Sequence, residues 1–165
     1  MASKLKGLST HGEFKVPNAP KFKVAIAVSE YNEKITFALR NGCLETLKKY
    51  GVKEKNIFVQ LVPGAFELPL AGKWLYEKKK ADAVICLGCV IKGDTDHDIY
   101  INTTVSQAIM DLGLQTGAPF VFGVITPNNM QQAIDRAGGK HGNKGVECAV
   151  ATLKMLELKY ALKRK

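Results

Sequence analysis

Long apolar runs are missing from this sequence. No stretch of its 165 residues approaches the roughly 20 uninterrupted apolar residues that a membrane-crossing helix needs, so a helical span is excluded. Cysteine is scarce, at four residues, and the chain is no disulfide-stapled miniprotein. The 15 glycines follow no period, which excludes a collagen-like repeat. The signatures G-x-x-x-x-G-K-[ST] and G-x-G-x-x-G are absent, so P-loop and dinucleotide-binding readings lack support. The opening MASKLKGLSTHGEF has no apolar segment of the kind a secretory signal carries. Export is therefore not expected, and the cysteines are expected as free thiols in the cytoplasm.

What is present is ordinary for a folded domain. Apolar residues make up 46% and charged residues 24%, and 165 residues suit one core. The net charge of +9 is unevenly placed. Residues 1–23 hold Lys4, Lys6, Lys15, Lys21 and Lys23 against Glu13, and residues 154–165 hold five basic residues against Glu157. The body between is nearly neutral. The basic ends read either as solvated tails or as a patch for nucleic acid or membrane. Residues 1–20, interrupted by Pro17 and Pro20, read as a flexible basic arm ahead of a domain over 21–165.

Strand and helix patterns alternate along that domain. Strands are predicted over Phe22–Val28, Ile57–Val62, Ala83–Val90 and Phe120–Ile125. Helices are predicted over Ile35–Tyr50, where Ile35, Leu39, Cys43 and Leu47 recur, and over Leu68–Lys80 and Ile99–Gln115. A further helix runs from a Thr126-Pro127 cap to Ala137. Gly138–Asn143 breaks it, and Lys144–Ala161 closes the chain with Val146, Val150, Leu153 and Leu156 on one face. Strands joined by helical crossovers imply an α/β fold: a four-stranded parallel sheet in a three-layer α/β/α sandwich.

Such sheets bind ligands at the carboxyl ends of their strands. Four segments fall there: Ser29–Glu33, Pro63–Glu67, Cys89–His97 and Thr126–Asn129. Gly93-Asp94-Thr95 follows a strand and opens a helix. It is either a phosphate cradle or an ordinary turn with Thr95 or Asp96 as the cap. His97, two residues on, is either a general acid–base or a surface histidine. Tyr31 and Phe66 on the same rim either stack on a planar ring or pack partly on the core. Arg136 either grips a phosphate or satisfies a helix end. Cys86 and Cys89 have metal-ligand spacing, but no second C-x-x-C exists, and Cys148 and His97 would have to complete four ligands. They read instead as small buried apolar residues.

Together these segments resemble the 6,7-dimethyl-8-ribityllumazine synthase family over about residues 22–160. The resemblance is carried by Val62-Pro63-Gly64-Ala65-Phe66-Glu67-Leu68-Pro69, by Gly88-Cys89-Val90-Ile91-Lys92-Gly93-Asp94-Thr95-Asp96-His97, and by Pro119–Thr126. Gln132–Gly138 and Gly142-Asn143-Lys144-Gly145 complete it. It implies a flavodoxin-like strand order and a transferase of riboflavin biosynthesis. That enzyme condenses 5-amino-6-(D-ribitylamino)uracil with 3,4-dihydroxy-2-butanone 4-phosphate, releasing phosphate and water. It uses no metal and no organic cofactor.

The resemblance also implies residue roles. Tyr31 and Asn32 hold the pyrimidine; Ala65, Phe66 and Glu67 meet the ribityl side; Cys89, Val90 and Ile91 offer backbone groups. Gly93, Asp94, Thr95 and Arg136 take the phosphate, His97 moves protons, and Phe122 closes the pocket from a neighbouring subunit. The family pattern places an aromatic and then an acid after the histidine, whereas this chain has His97-Asp98-Ile99.

A homopentamer is implied, and the short Gly138–Asn143 link favours a sixty-subunit shell, which in turn offers space for a riboflavin synthase. Neither nucleic acid nor membrane is an expected partner. A lumazine or flavin carrier on the same fold is the rival reading, and His97 and Arg136 argue against it.

Overall fold

The stretch Val24–Ser29 is buried at every position, and so is Ala83–Cys89. Strands covered on both faces read as continuous apolar runs, and these two (β1 and β3) form the centre of a parallel sheet. Their neighbours, β2 (Ile57–Val62) and β4 (Phe120–Ile125), are only partly buried because they lie at its edges. The computed structural model describes residues 9–163 and places the four strands in the order β2-β1-β3-β4, all parallel. This is the flavodoxin-like order.

Alternation along the strands divides the core in two. Val24, Ile26, Val28, Ile85 and Leu87 face α1 (Glu33–Lys49) and α5 (Lys144–Lys163). They meet Ile35, Leu39, Cys43 and Leu47 of α1, and Cys148, Ala149, Leu153 and Leu156 of α5. Ala25, Ala27, Val84 and Cys86 face α2 (Leu68–Lys79) and α3 (His97–Thr116), meeting Leu68, Ala71, Val105 and Ile109. The three layers follow from this division.

Several boundaries differ from the sequence reading. Phe22 is buried, yet β1 starts at Val24, because the Lys23 amide donates to the Asp82 carboxylate and not to a strand. Thr126-Pro127 does not cap the fourth helix. That helix, α4, spans Met130–Arg136, and Asn129 Oδ1 accepts the Gln132 amide at 3.0 Å. Pro127 lends its carbonyl to the Lys92 amide at 3.0 Å. The Gly138–Asn143 break is itself ordered: β5 (Ala137–Gly139) pairs antiparallel with β6 (Gly142–Asn143). On α5, Val146 is half-buried, and Cys148 with Ala149 takes the inward face.

The expected arm over 1–20 has its residues 1–8 outside the described part. From Ser9 onward the chain lies on the body, unlike a free arm. Phe14 stacks on Tyr50 with ring centres 4.4 Å apart, and Val16 and Ala19 are buried. Asn18 donates its backbone and side-chain N–H groups to Glu157, each at 2.9 Å. Apolar side chains and one paired carboxylate offset the entropy of ordering this segment. The basic ends meet here: Lys154 sits over the Phe14 ring, and Lys21 over Tyr160. Lys4, Lys6, Arg164 and Lys165 lie outside the described residues. Among the described residues, no helix is long and apolar enough to cross a membrane.

Candidate active site

In this strand order the chain turns one way from β1 and the other way from β3, so the loops after these strands diverge and leave a crevice. Asn32, at the end of the first loop, adopts the left-handed conformation at φ 60° and ψ 44°. Asparagine tolerates that region better than most residues. Its side chain does not cap α1. Its Nδ2 crosses the crevice to donate to the Cys89 carbonyl at 3.0 Å. The loops are laced further by backbone bonds. Glu30 N–H reaches the Val62 carbonyl at 2.8 Å, Tyr31 N–H reaches Pro63 at 3.1 Å, and Val90 N–H reaches Ile125 at 2.9 Å.

A cavity of about 430 Å³ opens between the β2 loop and α3. Tyr31, Ala65, Phe66, Glu67 and His97 line it, all five picked out in the sequence. Its size suits a small-molecule site. Tyr31 and Phe66 are 70% and 60% exposed, an uncommon cost for two large rings unless something covers them. Tyr31 lies directly against Gly64: a Cβ there would come within 2.9 Å of the ring. Glu67 Oε2 accepts the Gly64 amide at 3.0 Å and closes the turn into α2. On its other side Tyr31 borders a second cavity, of about 580 Å³, with Asn32, Ile35, Met130 and Ile134.

Three lining residues escaped the sequence reading: Tyr100, Ile101 and Thr104. The signal was available, since they stand three, four and seven places after His97 and so share its face of α3.

The phosphate turn sits beside this cavity in the chain. Gly93, Asp94, Thr95 and Asp96 are exposed. Asp96 precedes α3 without making a side-chain cap bond, and Thr95 Oγ1 lies 3.4 Å from the His97 amide. A helix end open in this way favours an anion. Against it stand three carboxylates, Asp94, Asp96 and Asp98, with Lys92 as the one cation in the run. Asp98 Oδ1 is buried without a hydrogen-bond partner among the described residues.

Asn32, Cys89, Val90, Ile91 and the phosphate turn do not line the cavity itself, and two further predicted site residues stand on other elements. Phe122 lies midway along the edge strand β4, paired in register with Cys86 and 36% exposed. Arg136 ends α4. Its Nη1 donates to the His141 carbonyl at 2.8 Å, and its Nη2 lies 2.8 and 2.9 Å from the two oxygens of Glu147. Lys144 reaches the same carboxylate at 3.3 Å. Two cations on one anion leave an excess positive charge there. A guanidinium carries five N–H donors, so Arg136 retains donors for a further acceptor.

The paired cysteines face apart. Cys86 belongs to the α2/α3 side of the core and Cys89 to the α1/α5 side, as positions three apart on a strand must. Their sulfurs cannot converge on one ion. All four thiols are buried. Burial pushes Cys86, Cys89 and Cys148 up to about 12 and raises Cys43 as well.

The family model for 6,7-dimethyl-8-ribityllumazine synthase matches residues 21–160. A 6,7-dimethyl-8-ribityllumazine synthase of Phocaeicola vulgatus is 46% identical, covering 99% of this chain and 98% of its own. The enzyme of the same name from Cytophaga hutchinsonii is 50% identical over 94% of this chain, and that of Parabacteroides distasonis 47% over 94%; 98% of each is covered. The motifs, the strand order and these relatives converge: the chain belongs to the 6,7-dimethyl-8-ribityllumazine synthase family.

Proposed function

We propose that this chain condenses 5-amino-6-(D-ribitylamino)uracil with 3,4-dihydroxy-2-butanone 4-phosphate to 6,7-dimethyl-8-ribityllumazine, releasing phosphate and water. The observation that carries this reading is the meeting of Tyr31, Ala65, Phe66, Glu67 and His97 around one cavity at the strand ends.

The amine of the uracil attacks the ketone, and loss of water gives an imine. Each step moves a proton, and His97 at the cavity wall is the group suited to carry it. Tyr31 and Phe66 flank the planar ring. The Cys89 carbonyl keeps a second lone pair beside the one that Asn32 occupies, and Val90 and Ile91 continue that edge. A proton is then lost from C3 and phosphate leaves C4, held by the N–H groups over Gly93–Thr95. The enol formed becomes a ketone with a new methyl group, the ribityl-bearing amine attacks that ketone, and loss of a second water closes the ring. Holding two substrates in register supplies much of the remaining rate.

The acidic run at that turn needs a cation brought to it. Arg136 and Phe122 both stand away from the cavity, and a second copy of this chain supplies them. The assembly we propose is a homopentamer, built further into a sixty-subunit shell, with a riboflavin synthase as the protein it has room to enclose. Mass photometry separates these sizes. The four free thiols support a cytoplasmic setting. No metal, organic cofactor, nucleic acid or membrane enters this reading.

The test is stoichiometry. One phosphate should be released for each lumazine formed, at equal rates, with EDTA present. Phosphate release without lumazine would reduce the chain to a phosphatase-like activity and overturn the reading.

A further inference from the structure

We infer that Ser9, in the segment ahead of the sheet, is a positioning residue for Arg136. The inference rests on the reading of Arg136 as a phosphate ligand. Ser9 Oγ lies 3.1 Å from Glu147 Oε1 and 2.9 Å from the Asn143 carbonyl, and it accepts the Asn143 amide at 2.6 Å. Glu147 is the carboxylate that holds the Arg136 guanidinium. A hydroxyl has one proton to give, and a carboxylate is the stronger acceptor. The serine thus links the strand that starts α5 to the carboxylate that aims the arginine.

The contact is built into the chain on both sides. Gly142, at φ +83°, takes a conformation that other residues rarely adopt, and any Cβ there would collide with Ser9. Asn143 Oδ1 accepts the Gly145 amide at 2.8 Å and caps α5, while its Nδ2 donates to the Ala38 carbonyl of α1 at 3.0 Å. Asn143 is therefore fixed from α1 and α5, and Glu147 lies one turn further along α5. Ser9 closes the ring of bonds. Without it, Glu147 loses one of its donors, and the Arg136–Glu147 pair is free to sample more rotamers.

The test uses the full chain and its Ser9→Ala, Ser9→Thr and Arg136→Ala variants. Each substrate is varied in turn, with inorganic phosphate as inhibitor. Ser9→Ala should raise KM for the butanone phosphate and the inhibition constant of phosphate by the same factor, about three- to tenfold. KM for the uracil should stay within about twofold, as for any change that leaves that subsite alone. Ser9→Thr should restore both constants. If Arg136→Ala raises the phosphate constants and Ser9→Ala does not, the role given to Ser9 is wrong while the phosphate reading stands. If Arg136→Ala leaves the phosphate constants unchanged, both fall. If Ser9→Ala raises both KM values together and lowers the melting temperature, Ser9 is structural only.

Discussion

Asn32 Nδ2 donates to the Cys89 carbonyl at 3.0 Å, across the point where the strand order reverses. The bond spans the crevice between β1 and β3 and sets the distance between their loops. It also explains why an asparagine stands at a left-handed position. Asn32→Ala loses the bond and strains the backbone, with an expected destabilisation of roughly 2–3 kcal/mol. Asn32→Gly relieves the strain but not the lost bond, and should cost about 1 kcal/mol. Both should raise KM for the uracil. Urea unfolding and steady-state kinetics check the pair; equal destabilisation by the two would contradict the strain argument.

Gly64 marks how closely Tyr31 approaches the β2 loop. A methyl group at this position would lie 2.9 Å from the ring and force it outward. Gly64→Ala should raise KM for the uracil about tenfold, equivalent to about 1.4 kcal/mol of binding. The fold should change little, because an exposed ring is free to move. A crystal structure of the variant with Tyr31 unmoved would remove the basis of this expectation.

The buried thiols give a pH dependence with a definite sign. Unfolded cysteine ionises near about 8.5. In the folded chain Cys86 and Cys148 are raised to about 12 by burial. A raised acid stays neutral when folded, so nothing is lost below the unfolded value. Above it the unfolded state releases protons that the folded state keeps, and stability falls by up to about 1.4 kcal/mol per pH unit for each thiol until about 12. Stability by urea unfolding should be level from pH 7 to 8 and decline above 9. The same thiols should react with a disulfide reagent at pH 8 only after unfolding. Rapid labelling of the folded chain would contradict the burial.

Much of this was legible in the sequence because two periods stand out. Every-fourth apolar residues in α1 and unbroken apolar runs in β1 and β3 mark the layers directly. His97, Tyr31 and Phe66 were legible because parallel sheets put ligands at strand ends. The α4 cap was not. Thr126-Pro127 carries the usual signal, but the Pro127 carbonyl accepts the Lys92 amide. Of the two asparagines that follow, it is Asn129 that accepts the Gln132 amide, while the Asn128 amide donates to the Gln132 side chain. Ser9 and Glu147 were illegible for another reason. They stand 138 residues apart, and only the folded path brings them together. Tyr100 and Thr104 could have been found by extending the helical face from His97.

The central claim is catalysis at the strand-end cavity. The most direct measurement mixes the purified chain with both substrates and follows lumazine absorbance, beside a protein-free control and a His97→Ala variant. The account predicts product formation far above the control. It predicts a kcat lowered roughly 100-fold in the variant, the lower end of what a positioned acid–base group contributes, with KM for the uracil little changed. Folded, assembled protein that forms lumazine only at the control rate would contradict it, and a carrier on the same fold would then take its place.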